Sequence, residues 1–238
     1  MVVPAVSQAT ERIAPKTTPV RPVKNTVKKE EYSEKTPAVT KSITRPSTVG
    51  LKAGDYYRRA IEQLNLSQVQ AAIPNLQESL RLDPELDVAR ELLASLLFRG
   101  GRNAEARIIL KEGIALNPRH IAFSKLYAHS MIEQGSLAEA RQVLEQNLIY
   151  AANSTEYLSL LAAVSQRLSD HKSAVAYYMQ ALEIDNNDGA WWVGMGISLD
   201  ALGRKVEASH AYQAAKNRPG LSADVIAYVD SRLQDLKK

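Results

Sequence analysis

The chain has 238 residues, with 30 Lys+Arg against 26 Asp+Glu, a formal net charge of +4 and an isoelectric point near 9.2. A 45% apolar content supports one or two domains with a sizeable core, and no apolar run approaches the ~18–20 residues of a membrane-spanning helix. With no cysteine, the sequence excludes a disulfide scaffold, a thiol nucleophile and a zinc site built on thiolates.

The basicity belongs to the first segment. Residues 1–52 hold ten Lys/Arg and four Glu, a net of +6, which leaves −2 for residues 53–238. The same segment holds Pro4, Pro15, Pro19, Pro22, Pro37 and Pro46, six of the ten prolines, and shows neither helical nor strand periodicity. Proline withholds an amide donor and restricts its neighbour, and scattered apolar residues cannot offset chain entropy. Residues 1–52 are therefore expected to be a disordered Pro/Lys/Thr-rich linker. A phosphate-gripping arm would need clustered cations. Only Lys28-Lys29 are adjacent, Glu30-Glu31 follow at once, and Tyr32 is the one aromatic there. The segment reads as a tether, and no nucleic-acid partner is expected. Met1-Val2-Val3-Pro4 lacks the apolar stretch of a signal peptide and reads as a cut end.

From residue 53 the chain repeats. Ala72, Ala106, Ala140, Ala174 and Ala208 recur at a spacing of 34, as do Ala60, Ala94, Ala128, Ala162 and Gly196. A large apolar column, Leu76, Leu110, Leu144, Tyr178 and Tyr212, keeps the same spacing. The units are 53–86, 87–120, 121–154, 155–188 and 189–222, each expected to be two antiparallel helices. In the first unit Pro74 falls inside the second helix, where it should kink the backbone or mark an atypical terminal repeat. Asp83-Pro84 and Asn117-Pro118 close the first two units, because proline halts a helix just behind it. In the third unit Phe123, Leu126, Tyr127 and Met131 have helical spacing over 121–134, and Gly135 ends that helix. Ser136 with Glu139 forms a capping-box signature opening a second helix from Leu137 to about Tyr150. Gly101 and Gly203 stand at the same turn in their units. Residues 223–238 predict a capping helix with Val225, Ile226, Val229, Leu233 and Leu236 on one side.

This pattern resembles the tetratricopeptide repeat family, most clearly in the fifth unit: Trp192, Met195, Gly196, Leu199, Ala208 and Tyr212. Ala152, Asn186 and Gly220 replace its closing proline in the later units. The resemblance implies an all-α, right-handed superhelical solenoid of five helix-turn-helix units plus the cap, over residues 53–238. It also implies a concave partner groove lined by the first helix of each unit. The expected lining is Tyr57, Ile61 and Leu64, then Glu91, Ser95 and Phe98, then Lys125, His129 and Ile132. Ser159, Ala163 and Gln166 follow, and last Val193, Ile197 and Asp200. Some relatives clamp acidic chaperone tails with paired Lys and Asn; Lys125 has no asparagine partner, so that clamp is not expected. The mixed lining suits a helical or extended peptide. Phe98 and Ile132 can either face the groove or pack against neighbouring helices. Trp192 matches the family's core aromatic. Trp191, turned about 100° from it, either meets a partner or packs on the preceding unit near Tyr177 or Tyr178.

No catalytic constellation stands out. His120, His129, His171 and His210 lack the spacing of a helical metal site, and Asp185-Asn186-Asn187-Asp188 reads as an inter-repeat turn, not a calcium loop. No enzyme activity, cofactor or metal is expected. A basic tether leading into five units and a cap also resembles the soluble region of the tetratricopeptide proteins of MSHA-type pilus biogenesis. Leu126-Tyr127-Ala128, Gly135-Ser136-Leu137-Ala138-Glu139-Ala140 and Trp191-Trp192-Val193-Gly194-Met195-Gly196 carry that likeness. It implies a non-catalytic adaptor of a type IV pilus-like or secretion assembly, at the periplasmic face of a bacterial inner membrane. Its membrane anchor would precede Met1, and its partners would be assembly proteins. The alternative is a general peptide-binding or chaperone-like envelope module unconnected with pili. The sequence leaves the oligomeric state open.

Overall fold

The computed structural model describes residues 48–238, and the greater part of the segment expected to be a linker lies outside them. The described residues form eleven α-helices: α1 (Thr48–Asn65), α2 (Val69–Leu82), α3 (Asp87–Arg99), α4 (Asn103–Leu116), α5 (Ile121–Glu133) and α6 (Leu137–Ala151). They continue with α7 (Thr155–Arg167), α8 (His171–Ile184), α9 (Gly189–Ala201), α10 (Lys205–Lys216) and α11 (Ala223–Asp235). The first helix starts at Thr48, ahead of the unit boundary drawn at 53. Every helix packs against its neighbours in sequence, and α3 also meets α5 and α7 meets α9. That nearest-neighbour pattern is a solenoid of helix pairs.

The turn inside each unit is fixed by one left-handed residue. Ser67, Gly101, Gly135, Ser169 and Gly203 all have φ between 60° and 80° and lie 34 residues apart. In each case the left-handed residue's amide donates to the carbonyl three residues back, and the next amide to the carbonyl five residues behind it. All ten bonds span 2.8–3.1 Å. This is the Schellman ending, in which the last turn's carbonyls find donors. It also explains why the expected capping box is not formed. The Ser136 amide already donates to Met131 O at 2.9 Å, so Glu139 has no amide to reach back to. Glu139 instead accepts the Tyr127 hydroxyl at 2.5 Å and lies 3.7 Å from Lys111.

The repeat columns form the core. Both small-residue columns are fully buried, and Leu76, Leu110, Leu144 and Tyr212 are sealed between helices. Burying each such large side chain contributes roughly 1.5–3 kcal/mol. Gly196 is the exception in its column because a Cβ there would stand 2.7 Å from the Tyr212 ring. Helix α2 runs through Pro74 without interruption. Helices α2 and α4 stop two residues before Pro84 and Pro118, whereas α6, with Ala152 at that place, runs one residue further in its unit. Asp185 accepts the Asn187 amide at 3.0 Å and Asp188 the Ala190 amide at 2.8 Å, so both carboxylates of that stretch serve the inter-unit turn. Helix α11 packs Val229 and Leu233 into the last core, with Val225 and Leu236 beside them. Ile226 is 39% exposed and stands off the packed side where the sequence placed it.

Candidate functional site

Three first helices meet in a cleft of about 510 Å³ lined by Lys125 and His129 of α5, Ser159 and Ala163 of α7, and Trp191 of α9. The first four were expected in the groove and Trp191 was expected either to meet a partner or to pack on the preceding unit; all five come from three successive units, so the 34-residue period carries them to one place. Glu156, Leu160, Asp188, Ala190 and the Tyr178 ring complete the walls. Lys125 Nζ donates to Glu156 Oε2 at 2.5 Å. That hydrogen bond, and the charge behind it, hold the Glu156 carboxyl below its ordinary range. Tyr178 donates to Gln166 Oε1 at 3.3 Å, and burial pushes its hydroxyl up to about 12, so it stays a neutral donor at neutral pH. The cleft therefore offers an ion pair, an imidazole, a hydroxyl and an indole face, groups that can hydrogen-bond and pack against a ligand.

The other expected residues are placed differently. Tyr57 and Leu64 pack against the first core cluster. Phe98 packs against the first and middle clusters and Ile132 against the middle one, so both belong as much to helix packing as to a surface. Ile61 and Ser95 are half-buried. Glu91 lies 3.0 Å from His120 Nε2, and His120 also faces Asp87 at 3.6 Å. Val193 is not a lining residue. It is 7% exposed and belongs to the last core cluster, against which Leu221 and Val225 of the capping segment pack. Asp200 is taken up within the chain, because Arg232 of α11 donates to its carboxylate through Nε at 3.0 Å and Nη2 at 2.5 Å. The cap thus occupies the end of the expected groove beside Ile197.

Two further openings lie between the second helices of neighbouring units, and the sequence reading missed both. One, about 530 Å³, is lined by Leu80, Arg81, Arg90, Leu93, Ile109 and Leu116 among others. The other, about 450 Å³, is lined by Val175, Met179, Trp192, Met195, Leu199, Ala211 and Ala214 among others. They occupy the same place at the junctions of units 1–2 and 4–5, since Arg90 and Trp192, and Leu93 and Met195, stand three repeats apart. Trp192 is consequently half-exposed, not enclosed in the core, and its indole Nε1 donates to Asn186 O at 2.9 Å.

Among the described residues no group of His, Asp or Glu is arranged to hold a metal ion, and no helix is long and apolar enough to cross a membrane. Tetratricopeptide repeat family models match residues 64–128, 109–164 and 155–188, together just over half of the chain. No curated protein matches the sequence. Among solved structures, a tetratricopeptide repeat protein from Parabacteroides merdae aligns with a TM-score of 0.62 at 16% identity, over 78% of this chain and 72% of that one. The MamA protein aligns with a TM-score of 0.61 at 16% identity, over 70% and 91%. PilF of Pseudomonas aeruginosa aligns with a TM-score of 0.60 at 17% identity, over 79% and 90%. At such identities the likeness is one of fold.

Proposed function

The chain belongs to the tetratricopeptide repeat family, and on that premise we propose that it is a non-catalytic scaffold that holds a partner protein's peptide or helix in the α5–α7–α9 cleft. The observation that carries this reading is the convergence of Lys125, His129, Ser159 and Trp191, from three units, on one opening of about 510 Å³. A peptide laid there meets an indole for an apolar anchor and the Lys125–Glu156 pair for its polar groups. In the finer form of the proposal the chain is the soluble region of an MshN-type adaptor in a type IV pilus-like assembly, held at the periplasmic face of the inner membrane. The repeated motifs and the basic, proline-rich leader support that form.

The test is a pull-down from bacterial envelope extract with the wild-type chain and with a Ser159→Arg variant that fills the cleft. Recovery of a pilus or secretion component by wild type alone is the expected result. Recovery of general unfolded or unrelated envelope proteins would favour a chaperone-like module, and equal recovery by both proteins would remove the cleft from the account.

A further inference from the structure

Arg90 has no counterpart in the other units. Its column reads Tyr56, Arg90, Ser124, Leu158 and Trp192, so a formal charge enters this column only here. The residue is 3% exposed. Its guanidinium donates to Pro84 O at 2.9 Å, Ile109 O at 3.0 Å and Glu112 Oε2 at 3.2 Å. Its Nε has no acceptor among the described residues. Packing does not demand this arrangement, because Leu158 fills the same place with an apolar side chain. A buried guanidinium with a spare donor is costly unless a carboxylate completes it. The carboxylate at hand is weakly held: Glu112 makes one long contact, and its side chain is 61% exposed. Around Arg90 the slot of about 530 Å³ is walled by Leu80, Leu93, Ile109 and Leu116, and Leu116 is 51% exposed at the rim.

We propose that this slot is a second docking site, distinct from the α5–α7–α9 cleft, and that it takes an acidic amphipathic helix of a partner protein. The partner's Glu or Asp replaces Glu112 on Arg90, and its large apolar residues cover Leu80 and Leu116. Charge complementarity selects the carboxylate, since Arg offers a planar fork that matches it. The apolar walls select its neighbours, and the slot's course between α2 and α4 suits the helix-in-groove mode. A helix meets these demands by placing a glutamate three or four residues from each of two leucines. The same slot at the junction of units 4 and 5 has Trp192 in place of Arg90 and makes no such demand for an anion.

The test uses the full chain and a fluorescein-labelled helical peptide carrying one glutamate between two leucines at that spacing, beside the same peptide with glutamine. Anisotropy titration is expected to show the glutamate peptide binding at least about tenfold tighter, the size of one charge-assisted contact. Glu112→Gln, which frees Arg90 of its competitor, should tighten the glutamate peptide several-fold. Leu116→Glu, at an exposed position that leaves the fold intact, should abolish binding, while Trp191→Ala in the other cleft should leave it unchanged. Equal affinity for the two peptides, no binding of either, or indifference to Leu116→Glu overturns the proposal. So does saturable binding of decanoate with no peptide binding, which would assign the slot to a free carboxylate amphiphile.

Discussion

The first three units and the last two solve one packing problem with different residues. In units 1–3 an alanine of the first helix (Ala60, Ala94, Ala128) shares its core position with a leucine of the second (Leu76, Leu110, Leu144), all fully buried. In units 4 and 5 the second helix brings Tyr178 and Tyr212, and α9 of unit 5 yields space to both rings with Gly194 and Gly196, where a Cβ would collide with them, while the first helix of unit 4 keeps Ala162. Volume is exchanged between neighbouring helices, within the pair for Tyr212 and across the unit junction for Tyr178, so helix spacing survives a change of residue types. The junctions diverge more freely: Arg90 occupies one slot and Trp192 the equivalent slot three repeats later. A repeat fold constrains its columns and leaves other positions open to acquire partners.

The comparison can be broken most severely at a column. Ala140 is fully buried, and Ala140→Arg should abolish cooperative unfolding and most helicity by circular dichroism, because bulk and charge enter a closed contact. Retained native helicity would mean that the columns do not carry the fold. Alkaline pH should separate the two regions next. Burial pushes Tyr157 and Tyr178 up to about 12 from 10.0, and Tyr212 is raised as well; these three large shifts belong to units 4 and 5, while in unit 3 burial also raises Tyr127. Their folded-state affinity for protons exceeds the unfolded one, so the linked stability is intact below about pH 10 and drains away as pH rises toward 12. The effect is on the order of 2–3 kcal/mol for each fully desolvated ring. Amide exchange should show units 4 and 5 opening before units 1 to 3 only once the pH passes about 10, with no such difference at about pH 9 and with Tyr178→Phe reducing it above about pH 10.

Smaller effects follow from single atoms. Gly196→Ala should cost about 1–3 kcal/mol by overpacking against Tyr212, and adding Tyr212→Leu should restore part of that loss by recreating the pairing of units 1–3. Strict additivity of the two changes in urea unfolding would refute the compensation. At the turns, Ser169→Gly should stabilise by about 1 kcal/mol, since an L side chain at φ 60° is strained, and Gly135→Ser should cost about as much. Equal midpoints for wild type and Ser169→Gly would show that the serine turn is unstrained.

The helices, their pairing and the turn positions were legible because each depends on residue type at a fixed period. Gly101, Gly135 and Gly203 revealed the turn, but Ser67 and Ser169 did not, since serine seldom adopts that backbone region. The capping box of Ser136 and Glu139 misled because a Schellman bond had already claimed the amide it needs. The site was legible only in part. Lys125, His129, Ser159 and Trp191 follow from the period, whereas the Lys125–Glu156 contact joins residues 31 apart in different units and depends on how those units stack. Val193 belongs to the last core cluster and Asp200 is paired with Arg232 of the cap, a contact that no local pattern in α9 announces. The slots stayed hidden because they arise from what three helices fail to fill, and a missing volume leaves no motif.

The central claim, that the α5–α7–α9 cleft receives the partner, is tested most directly by site-specific photo-crosslinking in intact cells. A benzophenone side chain placed at Ser159 in the cleft should yield a discrete covalent adduct with one partner protein. The same group at Gln142, exposed on α6, should yield none. Adducts of equal yield from both positions, or from Gln142 alone, would contradict the account.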